Sequence, residues 1–193
     1  MQFSLFGAAA AAPTPADLDG VVLAGGQWVQ APTAGARLSV LVDAGWRAAA
    51  LVRELADRGL PAEQVQTGHA GELSGQIDVR TAMTAQLTPA AQRWTPGARL
   101  VPPVDLVLTP GGLRLWAIAR GRFDDAGYLL GTPGVASVLH RVAGAQLAAL
   151  GLTGASVGER GRPGWRLTGA KRIRRCAELL GEAPGGALEN WPG

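Results

Sequence analysis

Apolar and polar positions alternate along this chain in two rhythms. Leu38-Ser39-Val40-Leu41-Val42 is a short apolar run of strand type, whereas Trp46 to Arg58 places Leu51, Val52 and Leu55 on one helical face and stops at Gly59. Before them, Leu18 to Gly26 is a brief apolar segment that reads as a helix, with Asp17 as a candidate N-cap. Gln64–Thr67 and Gln76–Arg80 read as strands around a turn at Gly71–Gly75, and Ala82–Trp94 as a helix. Pro102 and Pro103 mark a crossing, after which the order returns. Leu113–Gly121 predicts a helix, Gly127–Leu130 a strand, and Val135–Leu150 a helix stopped by Gly151. Ala155–Val157 and Trp165–Thr168 predict strands around a polar turn, and Arg172–Leu180 a helix ending at Gly181.

The halves agree in sequence as well as in order. Leu55-Ala56-Asp57-Arg58-Gly59-Leu60 aligns with Leu147-Ala148-Ala149-Leu150-Gly151-Leu152, and Val79-Arg80-Thr81 occupies the slot of Leu167-Thr168-Gly169. A period this long is no solenoid repeat. The pattern predicts an α/β fold of two pseudo-symmetric α-β-β-α-β-β-α halves, residues 17–98 and 99–182. An N-terminal arm and Ala/Pro linker (1–16) precede them and a C-terminal tail (183–193) follows.

Composition refines this picture. Hydrophobic residues make up 47% of the 193 and charged residues 17%, enough apolar side chain for a packed core. The net charge of +3 is unevenly spread: Arg99 to Gly181 holds twelve basic and five acidic residues, a net of +7, and the remainder is net −4. Such asymmetry suits a polyanionic partner for one face, or a solvated charged surface. Cys176 is the single cysteine, which excludes a disulfide framework and suggests a small core residue. No apolar run approaches the roughly 20 residues of a membrane span, so the chain is read as cytoplasmic and nucleoid-associated, with no membrane partner. His69 and His140 have no metal-spaced neighbours, and Gly169-Ala170-Lys171-Arg172 is not a phosphate-binding loop, so no metal or other cofactor is expected. His140 reads as a surface or boundary residue. Trp28, Trp46, Trp94, Trp116 and Trp191 read as core or tail-docking residues.

Leu18-Asp19-Gly20-Val21-Val22-Leu23-Ala24-Gly25-Gly26 and Leu113-Arg114-Leu115-Trp116-Ala117-Ile118-Ala119-Arg120-Gly121 each resemble the nine-residue helix of the LAGLIDADG homing endonucleases. The first keeps that motif's first Leu, first Gly, second Ala and last Gly; the second keeps the first Leu, second Ala and last Gly. The resemblance implies two central helices packed through small residues (Gly20, Ala24, Ala119) beneath saddle-shaped sheets that cover DNA. The family cuts with one acid per helix, holding divalent metal at the scissile phosphates. Gly25 and Arg120 stand at those positions, while Asp19, Asp124 and Asp125 are nearby but misplaced. The chain is therefore expected to bind DNA without being an enzyme. It is similar in this to the WhiA-type bacterial regulators, a LAGLIDADG module lacking the acids, although their added helix-turn-helix has no room before Gly193.

Candidate DNA-binding residues are Arg120 and Arg122 at the second central helix, Arg160, Arg162 and Arg166 around the last hairpin, and Lys171, Arg172, Arg174 and Arg175 on the last helix. Guanidinium groups hold phosphates through paired hydrogen bonds. Trp165, set among them, could stack on a base or fill the core. Gln2-Phe3-Ser4-Leu5-Phe6 resembles the pentapeptide by which bacterial polymerases and repair proteins bind the DNA sliding clamp, with Phe3 where Leu is usual. An apolar pair would fill a pocket while the glutamine bonds at its rim; an arm packed on its own domain is the other reading. The function expected is a non-catalytic module binding double-stranded DNA, recruited to replication or repair sites through the clamp. A protein-interaction adaptor, a transcription regulator and a divergent nuclease are the alternatives.

Overall fold

The computed structural model describes residues 12–67, 75–97, 99–134, 137–158 and 162–193. Half one runs α1 (Leu18–Leu23), β1 (Gln27–Ala31), β2 (Gly35–Val42), α2 (Gly45–Ala56), β3 (Ala62–Gln66), β4 (Ile77–Thr81) and α3 (Thr88–Trp94). Half two repeats this order with α4 (Pro110–Arg120), β5 (Gly121–Asp124), β6 (Gly127–Gly131), α5 (Val138–Ala149), β7 (Ala155–Val157), β8 (Gly164–Leu167) and α6 (Ala170–Leu180). Each half forms one antiparallel sheet, in the matching orders β1-β2-β4-β3 and β5-β6-β8-β7. The expected α-β-β-α-β-β-α arrangement is thus observed.

Alternation explains which side of each sheet is covered. On β2, Ala36, Leu38, Val40 and Val42 are buried, and Arg37, Ser39 and Leu41 point the other way. On β6, Tyr128 and Leu130 enter the core shared with the helices. One apolar cluster runs through both halves, from Leu18 to Trp191. The helices therefore lie on one side of both sheets and leave the other side free. β1 and β5 could not be located from the sequence: β1 is an edge strand with no clean alternation.

The halves meet where α1 crosses α4. A Cβ on Gly20 would lie 1.8 Å from the Gly112 carbonyl oxygen, so backbone packs directly on backbone there. Gly20 was expected at this crossing, with Ala24 and Ala119, which are buried beside it. Gly112 precedes the motif and went unread. Both segments begin with Thr-Pro, Thr14-Pro15 and Thr109-Pro110, which extends the internal repeat.

Three local expectations are corrected. Asp17 does not cap α1: it ends a 3-10 turn that begins at Pro15, and its carboxylate is buried between halves. There it accepts from Thr109 Oγ1 at 2.6 Å and pairs with Arg58 at 2.9 Å. Ala82–Trp94 is not one helix, because Thr84 bridges to Ala36 and only a 3-10 turn, Ala85–Leu87, precedes α3. His140 is 4% exposed rather than a surface residue, held between Thr132 Oγ1 and Ser156 Oγ at 2.8 Å each. Of the two readings of Trp165, packing against the core is the one observed: half-buried, it stacks on His140 at 5.0 Å and donates to the His140 carbonyl. Cys176 is buried as expected, and burial pushes its thiol up to about 12.

Gly20→Ala should therefore be costly. Overpacking penalties run from about 1 to 3 kcal/mol and higher, and the backbone clash puts this variant at the upper end. At roughly 2–4 °C per kcal/mol the melting temperature should fall by about 6–12 °C. Gly45→Ala, whose added Cβ meets nothing within 4 Å, should melt like the parent.

Candidate nucleic-acid interface

The C-terminal ends of the central helices bring the two motif positions together. A Cβ on Gly25 would sit 3.7 Å from the Arg120 guanidinium and 3.2 Å from Pro133. Gly25 has φ +101°, a backbone that glycine adopts without strain. Arg120 and Gly131 line a cavity of about 230 Å³, together with Asp43, Arg47, Arg122, Thr132 and Arg162.

Arg47 and Asp43 are the parts of this site that the sequence did not single out. Arg47 starts α2, is 5% exposed, and reaches into the other half. Its guanidinium donates to the carbonyls of Ile118 at 2.6 Å and Gly121 at 2.7 Å. It thus satisfies carbonyls that the end of α4 leaves without helical partners. Desolvation holds it below the usual guanidinium range, offset in part by Asp43. Asp43, at the end of β2, pairs with Arg47 at 3.1 Å and with Arg162 at 2.8 Å. Neither residue belongs to a sequence motif; they meet through the packing of the two halves.

Arg120 is different. Burial, and Arg162 nearby, push it below the usual guanidinium range, against the pull of Asp43. Its Nε is buried without a hydrogen-bond partner, and among the described residues it forms no ion pair. Arg122 on β5 likewise has no ion-pair partner among the described residues, and burial with the Arg162 charge lowers it too. The outer face of the second sheet then carries Arg122, Leu129 and Arg166 in one register row. Arg166 is paired with Asp124. The equivalent face of the first sheet carries Arg37 and Arg80; Arg80 lies 3.5 Å from Asp78 and 3.7 Å from Glu63. The Arg37 Nε is buried without a partner.

The candidate basic residues therefore separate into two groups. Arg120, Arg122, Arg162 and Arg166 gather on the outer sheet face or at the central cavity. Lys171, Arg172, Arg174 and Arg175 lie on α6, whose Cys176, Leu179 and Leu180 pack into the core on the helical side. They are exposed or half-buried around a separate open cavity near Gly169. Arg160 and Gln2 to Phe6 lie outside the described residues. The acids expected as alternatives are elsewhere: Asp19 is buried against Arg93 and Trp94, Asp124 holds Arg166, and Asp125 is in the β5–β6 turn.

These donors do not fit a divalent cation. Such an ion needs several oxygen ligands, and here one carboxylate, Asp43, stands among four arginines. Among the described residues, no three His, Cys, Asp or Glu side chains cluster. No helix among them is long and apolar enough to cross a membrane.

Asp43 gives a pH signature. Burial raises its carboxyl, but Arg47 and Arg162 outweigh this and hold it below the usual 3.8. Its ion pairs thus stabilise the fold above about pH 4 and are lost as pH falls through the lower folded value. Thermal unfolding between about pH 5 and 2 should show a shallower acid-side decline in Asp43→Asn than in the parent. Parallel declines would place the acid sensitivity elsewhere.

No protein-family model and no curated protein matches the chain. Solved structures do, two of which are LAGLIDADG proteins. One is the homing endonuclease I-WcaI bound to its DNA recognition sequence, with TM-score 0.63 and 12% identity over 92% of this chain and 85% of that one. The other is the N-terminal LAGLIDADG domain of DUF199/WhiA, with TM-score 0.56 and 10% identity over 90% and 84% respectively. The first likeness corrects the expectation that the chain is not an enzyme. The missing acids at Gly25 and Arg120 concern two positions, whereas the whole fold is shared with a nuclease. What the two likenesses and the two matching sheets establish together is the architecture: a LAGLIDADG-like fold in two halves.

Proposed function

We propose that this chain binds double-stranded DNA across the outer faces of its two sheets. The observation that carries this reading is the set of guanidinium groups left, among the described residues, without protein acceptors on that side. Arg37 and Arg122 project from the sheets and Arg120 lies between them, while arginines on the helical side, such as Arg58 and Arg114, are tied to carboxylates. Groups desolvated without acceptors gain most from phosphate oxygens. A fold shared with an endonuclease bound to its DNA supports DNA as the partner. Arg166 and Arg162 join this face once their carboxylates exchange for phosphate. Lys171, Arg172, Arg174 and Arg175 would contribute long-range attraction from the helical side.

Duplex binding should weaken steeply as salt rises. Arg37→Glu with Arg122→Glu should cut affinity by about 100-fold or more at moderate salt, because each reversal replaces attraction by repulsion. The triple reversal at Arg172, Arg174 and Arg175 should cost less than about tenfold. Fluorescence anisotropy with a labelled duplex measures both; the opposite ranking would move the interface to α6, and no binding at low salt would end the reading.

The pentapeptide Gln2-Phe3-Ser4-Leu5-Phe6 supports recruitment by the sliding clamp, as a tether on the Ala/Pro linker, to sites of replication or repair. Calorimetric titration should give a clamp affinity on the order of micromolar. Leu5→Ala with Phe6→Ala should weaken it at least ~100-fold, since each side chain buried contributes about 1.5–3 kcal/mol. Equal affinity for parent and double variant would exclude the peptide.

A further inference from the structure

The cavity at the end of the central helices has a polarity that the sheet faces lack. Its lining holds four guanidinium groups and one carboxylate. Arg47 spends its hydrogen bonds on the carbonyls at the end of α4 and on Asp43. Arg162 spends one on Asp43, and Arg120 and Arg122 have no acceptor among the described residues. Like charges at close quarters repel, and burial removes the water that would screen them. Burial first, and the Arg162 charge after it, lower both Arg120 and Arg122 below the usual guanidinium range. What relieves such a cluster is a compact anion with several acceptor oxygens. At about 30 Å³ per water, a volume of about 230 Å³ has room for a tetrahedral oxyanion with its remaining waters. Gly131 lines the cavity beside the stem of Arg120, and a Cβ on Gly25 would lie 3.7 Å from the Arg120 guanidinium, so neither glycine position leaves room for a side chain without crowding Arg120.

We propose that this cavity seats one phosphate group, held by Arg120, Arg122 and Arg162, with Asp43 as the internal counter-ion that the phosphate displaces from Arg162. The phosphate is a backbone phosphate of the bound duplex, and in this the proposal rests on the DNA-binding reading above. Arg120 and Arg122 flank Gly121 at the α4–β5 junction, and Arg162 comes from the loop before β8. The lining adds Asp43 and Arg47 from the first half, so the seat lies where the two halves meet and fixes where the duplex lies along the two sheets. It is a positioning contact and reads no base.

Inorganic phosphate probes the seat without DNA. Melting of the full chain is followed while phosphate replaces chloride at constant ionic strength. The parent and Arg53→Gln, altered on an exposed part of α2 away from the cavity, should gain stability together. Arg120→Gln and Arg162→Gln should need at least about tenfold more phosphate for the same gain. Arg162 is 65% exposed, so its variant tests the seat even if Arg120→Gln folds poorly. Duplex titrations of Arg162→Gln should show the slope of log K against log salt reduced by about 1. Phosphate stabilisation that is absent from the parent, or equal in parent and Arg162→Gln, would overturn the seat; an exposed adventitious anion gives the second result. Duplex binding by the parent with an unchanged salt slope in Arg162→Gln would overturn the proposal and leave DNA binding standing. A cavity-dependent phosphate effect without any duplex binding would instead defeat the DNA reading and keep the anion seat.

Discussion

Everything in this molecule hangs on the approach of two helices at Gly20 and Gly112. With no side chain at either residue, backbone meets backbone, and each half can bury its apolar face against the other. The crossing fixes which charged groups become neighbours. At the N-terminal end it places Asp17 between Arg58 of its own half and Thr109 of the other. At the opposite end it lets Arg47 reach carbonyls of α4 and sets Asp43 before Arg162. Near its middle Arg114 of α4 pairs with Glu54 of α2 at 2.6 Å. A buried ion pair contributes little net stability by itself, but removing one partner leaves a desolvated charge. These pairs therefore penalise other relative placements of the halves more than they add stability to this one.

The same geometry divides the arginines by the work open to them. Those facing the interior are consumed: Arg58, Arg93 and Arg114 each hold a carboxylate, and Arg47 completes a helix end. Those on the far side of the sheets are only partly matched: among the described residues, the Nε groups of Arg37 and Arg120 lack acceptors and Arg122 forms no ion pair. Net charge by itself does not reveal this division, because the sequence places seven of the candidate cations between residues 160 and 175. Four of them turn toward the helical side once β8 ends and α6 packs its Cys176 and Leu180 inward. Proximity in sequence concentrated attention on α6, while the face with unsatisfied guanidinium groups is assembled from β2, β5 and the end of α4.

Local pattern determined much of the architecture by itself. Period-two burial on β2, period-3.6 burial on α2, and glycine stops at Gly59, Gly151 and Gly181 follow from side-chain direction and backbone freedom, so the duplicated order was legible apart from the edge strands β1 and β5. The pairing of Gly25 with Arg120 was legible as well, because an internal repeat aligns them. What tertiary structure alone decided is every relation that crosses between the halves. Gly112, Asp43 and Arg47 carry no local signal, since a glycine near a helix start, an aspartate after a strand and an arginine in a first turn are ordinary residues. His140 looked like a boundary residue on its helix and became buried because Thr132 and Ser156, from the adjoining sheet, supply both its ring nitrogens with partners. Burial and partnering depend on which surfaces meet, and periodicity along one segment contains no record of the surface that will cover it.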